Sequence, residues 1–286
     1  MTYSKKNTLL FFLIVLPCIS IVAQSEIIPP GKDSILQRVD ELKALVDRKY
    51  WPSFNAPEYV LEMNYYEEGP FRMHLVQTDS EGKPRMECSS PEITFKTIPD
   101  VTSYEEWYAM LIHECFHGFQ YKKYPQFWKK MLEATPQDFY ASDSLKALKK
   151  NYSWYREILK QENELLTQML EAPNLAIVSQ YWQQFIPLRK GRLQLVKEKL
   201  GLDLEPFYPI METMEGSARY IEYSLYKELG ISDKAEWMTN LEGDSYYYAS
   251  GFYMILILEK FGVEYKDKLF CKFDSLTELV SDLLNH

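Results

Sequence analysis

The chain has 286 residues, of which 46% are hydrophobic and 26% are charged, and its formal net charge at pH 7 is −9. This composition is ordinary for a globular protein and excludes disorder as the default state. The acidic balance argues against nucleic acid or an anionic membrane as the main partner.

The N-terminal residues have the features of a secretory signal peptide. Lys5 and Lys6 form a positively charged start, and an apolar run over residues 9–23 precedes a cleavage site before Gln24. The run is shorter than the roughly 20 residues that a membrane-spanning helix needs. We therefore predict a signal peptide over 1–23 and an exported protein, periplasmic or extracellular, with no stable membrane span after cleavage.

The next segments change from helical to alternating spacing. An amphipathic pattern predicts a helix at about 33–48, and period-two alternation on both sides of a turn predicts a β-hairpin at about 59–75. Ile93, Phe95 and Thr97 continue the alternation as a further strand. The region of about 57–98 is thus expected to form a small antiparallel sheet.

Everything beyond that region has helical spacing. Helices are predicted at about 103–123, 143–171, 176–200, 208–229 and 246–261, and a short one closes the chain. No repeat or linker is evident. The predicted fold is therefore α+β, with one domain over 24–286 in which a small sheet precedes a mostly helical body.

The first of these helices carries a metal-binding pattern, His-Glu-Cys-Phe-His at 113–117. On a helix, His113 and His117 lie one turn apart on one face and can bind one zinc ion, while Glu114 can act as general base. Ser103 and Glu106 form a capping box that marks the helix start. Cys115 points away from both imidazoles and is expected to be a buried apolar residue.

A catalytic zinc needs a third protein ligand, with the fourth position left for water. The metzincin continuation of the motif fails here, because Gln120 and Lys123 stand where its glycine and third histidine would be. Glu215 is the best candidate, since the small residues after it allow close helix packing. Glu212 and Glu222 stay open as alternatives or as hydrogen-bond partners of the histidines.

The two segments HECFHGFQ and EGSARYIE together resemble the gluzincin class of zinc metallopeptidases. The resemblance implies a zincin-like body in which His113, His117 and Glu215 bind Zn²⁺ and Glu114 is the base. It also implies a helical insertion at about 125–205, because the interval between the two segments is long. The signature of the thermolysin branch is absent.

The expected activity is hydrolysis of peptide bonds in a peptide or protein substrate by a zinc-activated water. Arg219, Tyr220 and Tyr247 are candidate donors to the oxyanion. The predicted strand at about 92–98 would offer an edge to an extended substrate, by analogy with this class.

A different function class stays open beside the enzyme. The alternative is a catalytically inactive zincin-like protein that serves as a binding or scaffold module. The sequence leaves the oligomeric state undefined. A disulfide between Cys88 and Cys271 is also open, since sequence spacing alone cannot establish one.

Overall fold

The computed structural model describes residues 32–54, 60–64, 73–76, 85–136, 141–231, 233, 235, 238, 241 and 246–284. The chain divides into two compact units, Met1–Lys122 and Lys123–His286. The prediction of one domain with a helical insertion stays a prediction. The predicted signal peptide lies outside the described residues.

The first unit combines helices with three short strands. In chain order its elements are α1 (Lys32–Lys49), β1 (Val60–Asn64), β2 (Met73–Val76), β3 (Arg85–Ser89), α2 (Pro91–Thr97) and α3 (Tyr104–Lys123). α1 confirms the predicted first helix and buries Ile35, Val39, Leu42 and Val46, which follow helical spacing.

The predicted antiparallel sheet is wrong. Helices dominate the described residues, and the three short strands form a mixed sheet of order β1-β3-β2. β3 pairs in parallel with β1, Val60 opposite Arg85, and antiparallel with β2, Met73 opposite Cys88. β1 and β2 are therefore not the two arms of a hairpin. Alternation identifies strands, but it contains no information about which strands pair.

The strand predicted from Ile93, Phe95 and Thr97 is the helix α2. Ser90 caps it, because the Ser90 side chain accepts a hydrogen bond from the Ile93 backbone N–H, and Pro91 occupies the first turn. Proline at that position is favoured, since its fixed φ suits a helix and no N–H is needed there. These start signals outweigh the alternation. The proposed edge strand for substrate at about 92–98 is wrong for the same reason.

The second unit is built from helices in its described residues. They are α4 (Pro125–Ala134), α5 (Ala141–Asn151), α6 (Ser153–Glu171), α7 (Leu175–Leu200), α8 (Tyr208–Glu228), α9 (Tyr246–Lys260) and α10 (Leu276–Leu284). The helices predicted at about 176–200, 208–229 and 246–261 are confirmed. The one predicted at 143–171 is two helices, divided at Tyr152, and α4 was not predicted.

No helix among the described residues combines the length and apolar character that crossing a membrane requires.

Candidate metal centre

The motif helix α3 begins where its capping residues place it. Ser103 Oγ accepts a hydrogen bond from the Glu106 backbone N–H at 3.2 Å, which confirms that half of the capping box. The Glu106 carboxylate accepts from the backbone N–H of Thr102 at 2.5 Å, one residue earlier than the pattern predicts. The first turn of α3 is thus fixed by the side chains of Ser103 and Glu106.

α3 is buried on all of its faces from Glu106 to Gln120. Phe116 packs with its ring centroid 4.9 Å from Trp51 and 5.6 Å from Phe54, and Trp107 Nε1 donates to the Ser89 carbonyl at 3.2 Å. These contacts hold α3 within the first unit.

The two motif histidines lie side by side on α3. Their ring centroids are 5.0 Å apart with the planes at 81°. His113, Glu114 and His117 are each 5 to 6% exposed. His117 Nδ1 lies 2.8 Å from Oε1 of Gln120, which is fully buried. Within the first unit, therefore, two imidazoles, a carboxylate and an amide come together on one stretch of helix.

The cysteines of the described residues form no disulfide. Cys115 is buried, as predicted from its position on α3, and Cys88 is buried in β3, while Cys271 is exposed. Burial, together with the neighbouring Cys115, raises the pKa of the Cys88 thiol far above its ordinary value. The Cys88 thiol is thus protonated at neutral pH and a poor nucleophile.

In the second unit, Glu215 lies on α8 and is 1% exposed. The next residue, Gly216, contacts Gly251 of α9 so closely that a Cβ on Gly216 would lie 2.4 Å from the Gly251 carbonyl carbon. A Cβ on Gly251 would lie 1.9 Å from the Glu212 carbonyl oxygen. The two backbones therefore touch beside Glu215, and the small residues of this segment are explained by the crossing of α8 and α9.

Glu212, the first alternative ligand, is engaged elsewhere. Arg189 Nη1 donates to its Oε2 at 2.6 Å, and the Ser250 hydroxyl donates to its Oε1. Burial raises the pKa of Glu212, with the positive charge of Arg189 acting in the opposite direction. A carboxylate already bound on both oxygens is a poor metal ligand, so the structure disfavours Glu212.

Glu212 belongs to a larger set of buried charges that we name the ion network: Glu162, Arg189, Arg192 and Glu212. Glu162 accepts from Arg192 Nε at 2.6 Å and from Arg189 Nε at 3.3 Å. Each member is 3% exposed or less. With two carboxylates and two guanidiniums, the formal charges of the network balance.

Glu222, the second alternative, is less buried than Glu215 and accepts a hydrogen bond from the Tyr226 hydroxyl at 2.8 Å. Among the candidate oxyanion donors, Arg219 and Tyr247 interact electrostatically with Glu215. Burial, and then the Glu215 charge, raise the pKa of Tyr247 well above its ordinary value. The second unit therefore brings Glu215, Arg219 and Tyr247 together.

Tyr220, the third candidate donor, lies in different surroundings. Its ring faces the Lys266 ammonium at 5.4 Å, and Tyr220 is one of the groups that raise the pKa of Tyr265. It lies five residues after Glu215, which turns it well away from that side chain on a helix. The role of Tyr220 as an oxyanion donor stays a prediction.

The sequence analysis did not predict the contact of Gln120 with His117 or the burial of the arginines in the ion network. A signal for Gln120 existed, since a residue three positions after His117 lies beside it on a helix. The arginines of α7 carried no such signal, because in sequence they resemble the charged surface positions around them.

Comparison with protein-family models, with curated proteins and with solved structures finds no match to this chain.

Proposed function

We propose that this chain is an exported, zinc-dependent metallopeptidase of the gluzincin type, with His113, His117 and Glu215 as the zinc ligands. The observation that carries the proposal is the pair of adjacent, buried imidazoles on α3 with Glu114 between them in sequence. Each of the three ligands offers one atom of a kind that zinc prefers, and each is buried.

Burying these three side chains costs desolvation free energy that apolar packing alone does not require, and this supports a role in binding zinc. Imidazole and carboxylate groups lose hydration when they leave water, and that loss needs compensation from partners or a metal. A helix that served only the core could carry apolar side chains at all three positions. Buried His113, Glu114 and His117 therefore favour a function over a purely structural role.

His113, His117 and Glu215 would hold the zinc ion, which would supply a Lewis acid for activating the attacking water. Glu114, next to a ligand and itself buried, accepts the proton of the attacking water and returns it to the leaving amine. Arg219 and Tyr247 are the candidates that donate to the carbonyl oxygen as its negative charge develops.

Hydrolysis of a fluorogenic peptide library by the zinc-loaded chain tests the proposal, with Glu114→Gln as the decisive variant. We expect the variant to keep zinc and to lose activity by roughly 10²- to 10⁴-fold, since that is what a general base contributes. Glu105→Gln on the same helix is the matched control, because Glu105 is exposed. It should cleave at the rate of the unaltered chain.

Zinc removal gives the second arm of the test. Chelation should abolish cleavage, and added zinc should restore it. Full activity of Glu114→Gln would contradict the assigned base. A chain that binds zinc and cleaves no peptide in the library would contradict the peptidase proposal and leave the zincin-like binding or scaffold protein as the better description.

A further inference from the structure

The hydrogen bond between His117 and Gln120 bears on which ring nitrogen of His117 carries the proton. The Gln120 atom that faces His117 Nδ1, at 2.8 Å, is the amide oxygen Oε1. With the amide oxygen in this orientation, the bond requires a proton on Nδ1 of the imidazole, because an amide oxygen only accepts hydrogen bonds. In the neutral ring the other nitrogen, Nε2, then carries the lone pair.

From this geometry we infer that Gln120 is a positioning residue that holds His117 in the Nδ1–H tautomer and presents Nε2 as the metal ligand. The inference rests on the proposed function for the metal itself, whereas the tautomer is a property of the metal-free chain. A histidine ligand in metalloproteins commonly donates its other N–H to such a partner, which fixes both tautomer and ring orientation.

The placement of Gln120 supports this role. It lies three residues after His117 on α3, and therefore on the same side of the helix, and its side chain is fully buried. Burying an amide is unfavourable unless its polar atoms are hydrogen-bonded. The contact with His117 provides such a bond in the interior.

The choice of an amide rather than a carboxylate also follows from the surroundings. Glu114 already contributes a buried carboxylate to this stretch of α3. A further negative charge at position 120 would be costly to desolvate, because α3 is buried on all faces there. A neutral acceptor orients the imidazole without adding that charge.

Nitrogen-15 NMR of the metal-free chain, with labelled histidine, tests the inference without any enzyme assay. The chain has four histidines, so the His117→Ala variant assigns the His117 signal. We expect Nδ1 to carry the proton in the unaltered chain and this preference to be lost in Gln120→Met, which keeps the shape of the side chain and removes the acceptor. Gln126→Met, at an exposed position, is the matched control.

Zinc affinity provides the second readout. Gln120→Met should weaken zinc binding by roughly 10- to 100-fold, as loss of a ligand's hydrogen-bond partner does in other metal sites, while Gln120→Glu, which keeps an acceptor, should stay nearer the unaltered affinity. If Gln120→Met does not fold, the tautomer of His117 in the unaltered chain still tests the positioning role of Gln120.

The outcomes separate the two proposals. An Nε2–H tautomer of His117 in the unaltered chain would overturn the positioning role, and so would unchanged tautomer and affinity in Gln120→Met. If the unaltered chain shows the Nδ1–H tautomer but takes up no zinc, the positioning of His117 stands and the proposed metallopeptidase fails.

Discussion

Two groups of buried polar side chains differ in chemistry although both lie in helices. The motif group on α3 consists of His113, Glu114, His117 and Gln120, and the ion network on α6, α7 and α8 consists of two glutamates and two arginines. The ion network pairs opposite charges at hydrogen-bonding distance. The motif group instead combines imidazoles and a carboxylate, which are groups of the kinds that bind metals and accept protons.

Burial of a polar side chain alone therefore does not indicate a functional site. A buried carboxylate held by two guanidiniums is compensated inside the protein, and its removal should cost stability. A buried group selected for chemistry contributes to activity and often nothing to stability. Matched substitutions in the two groups should therefore give opposite results, which the following experiments test.

The largest expected effect on stability is that of Glu162→Gln in the ion network. Arg189 and Arg192 would both lose the charge of a fully buried partner, so we expect the free energy of unfolding to fall by about 3–5 kcal/mol in urea titrations. Glu164→Gln, exposed on the same helix, should change it by less than about 0.5 kcal/mol. Equal effects of the two variants would contradict a contribution of the ion network to stability.

A smaller loss is expected where α8 crosses α9. Gly216→Ala places a methyl group against the backbone of Gly251, which cannot move aside cheaply, and should cost about 1–3 kcal/mol. Gly191→Ala in α7 meets no atom within 4 Å and should instead stabilise the chain by about 0.5–1 kcal/mol. Thermal unfolding of both variants checks the opposite signs.

The smallest effect should come from the motif group. Glu114→Gln in the metal-free chain replaces a buried carboxylate with a neutral group of the same shape, so the packing around α3 is kept. We expect the free energy of unfolding to change by less than about 1 kcal/mol in either direction. A loss as large as that of Glu162→Gln would mean that the motif group, too, is structural.

Local signals in the sequence predicted the local features well. Ser103 and Glu106 located the start of α3, the pentapeptide located the motif histidines, and apolar spacing located α7, α8 and α9. Each of these depends on residues within one or two turns of each other, so the sequence contains the full pattern.

Features that depend on distant residues were not predicted. Strand alternation could not reveal that β3 separates β1 from β2, since pairing is set by the whole sheet. Arg189 and Arg192 gave no sign of burial, because that depends on how α7 packs against α6 and α8. The strand predicted in place of α2 is a different kind of error, since Ser90 and Pro91 were a readable helix start.

The zinc content of the purified chain, measured by atomic emission, tests the proposed metal site most directly. Variants His113→Ala, His117→Ala and Glu215→Ala probe the ligands, and Glu222→Ala on α8 is the control. We expect about one zinc per chain. Zinc binding should be retained in the control and lost or much weakened in the three ligand variants. A chain that takes up no zinc on titration would contradict the proposed metal site, and full retention in Glu215→Ala would contradict the third ligand.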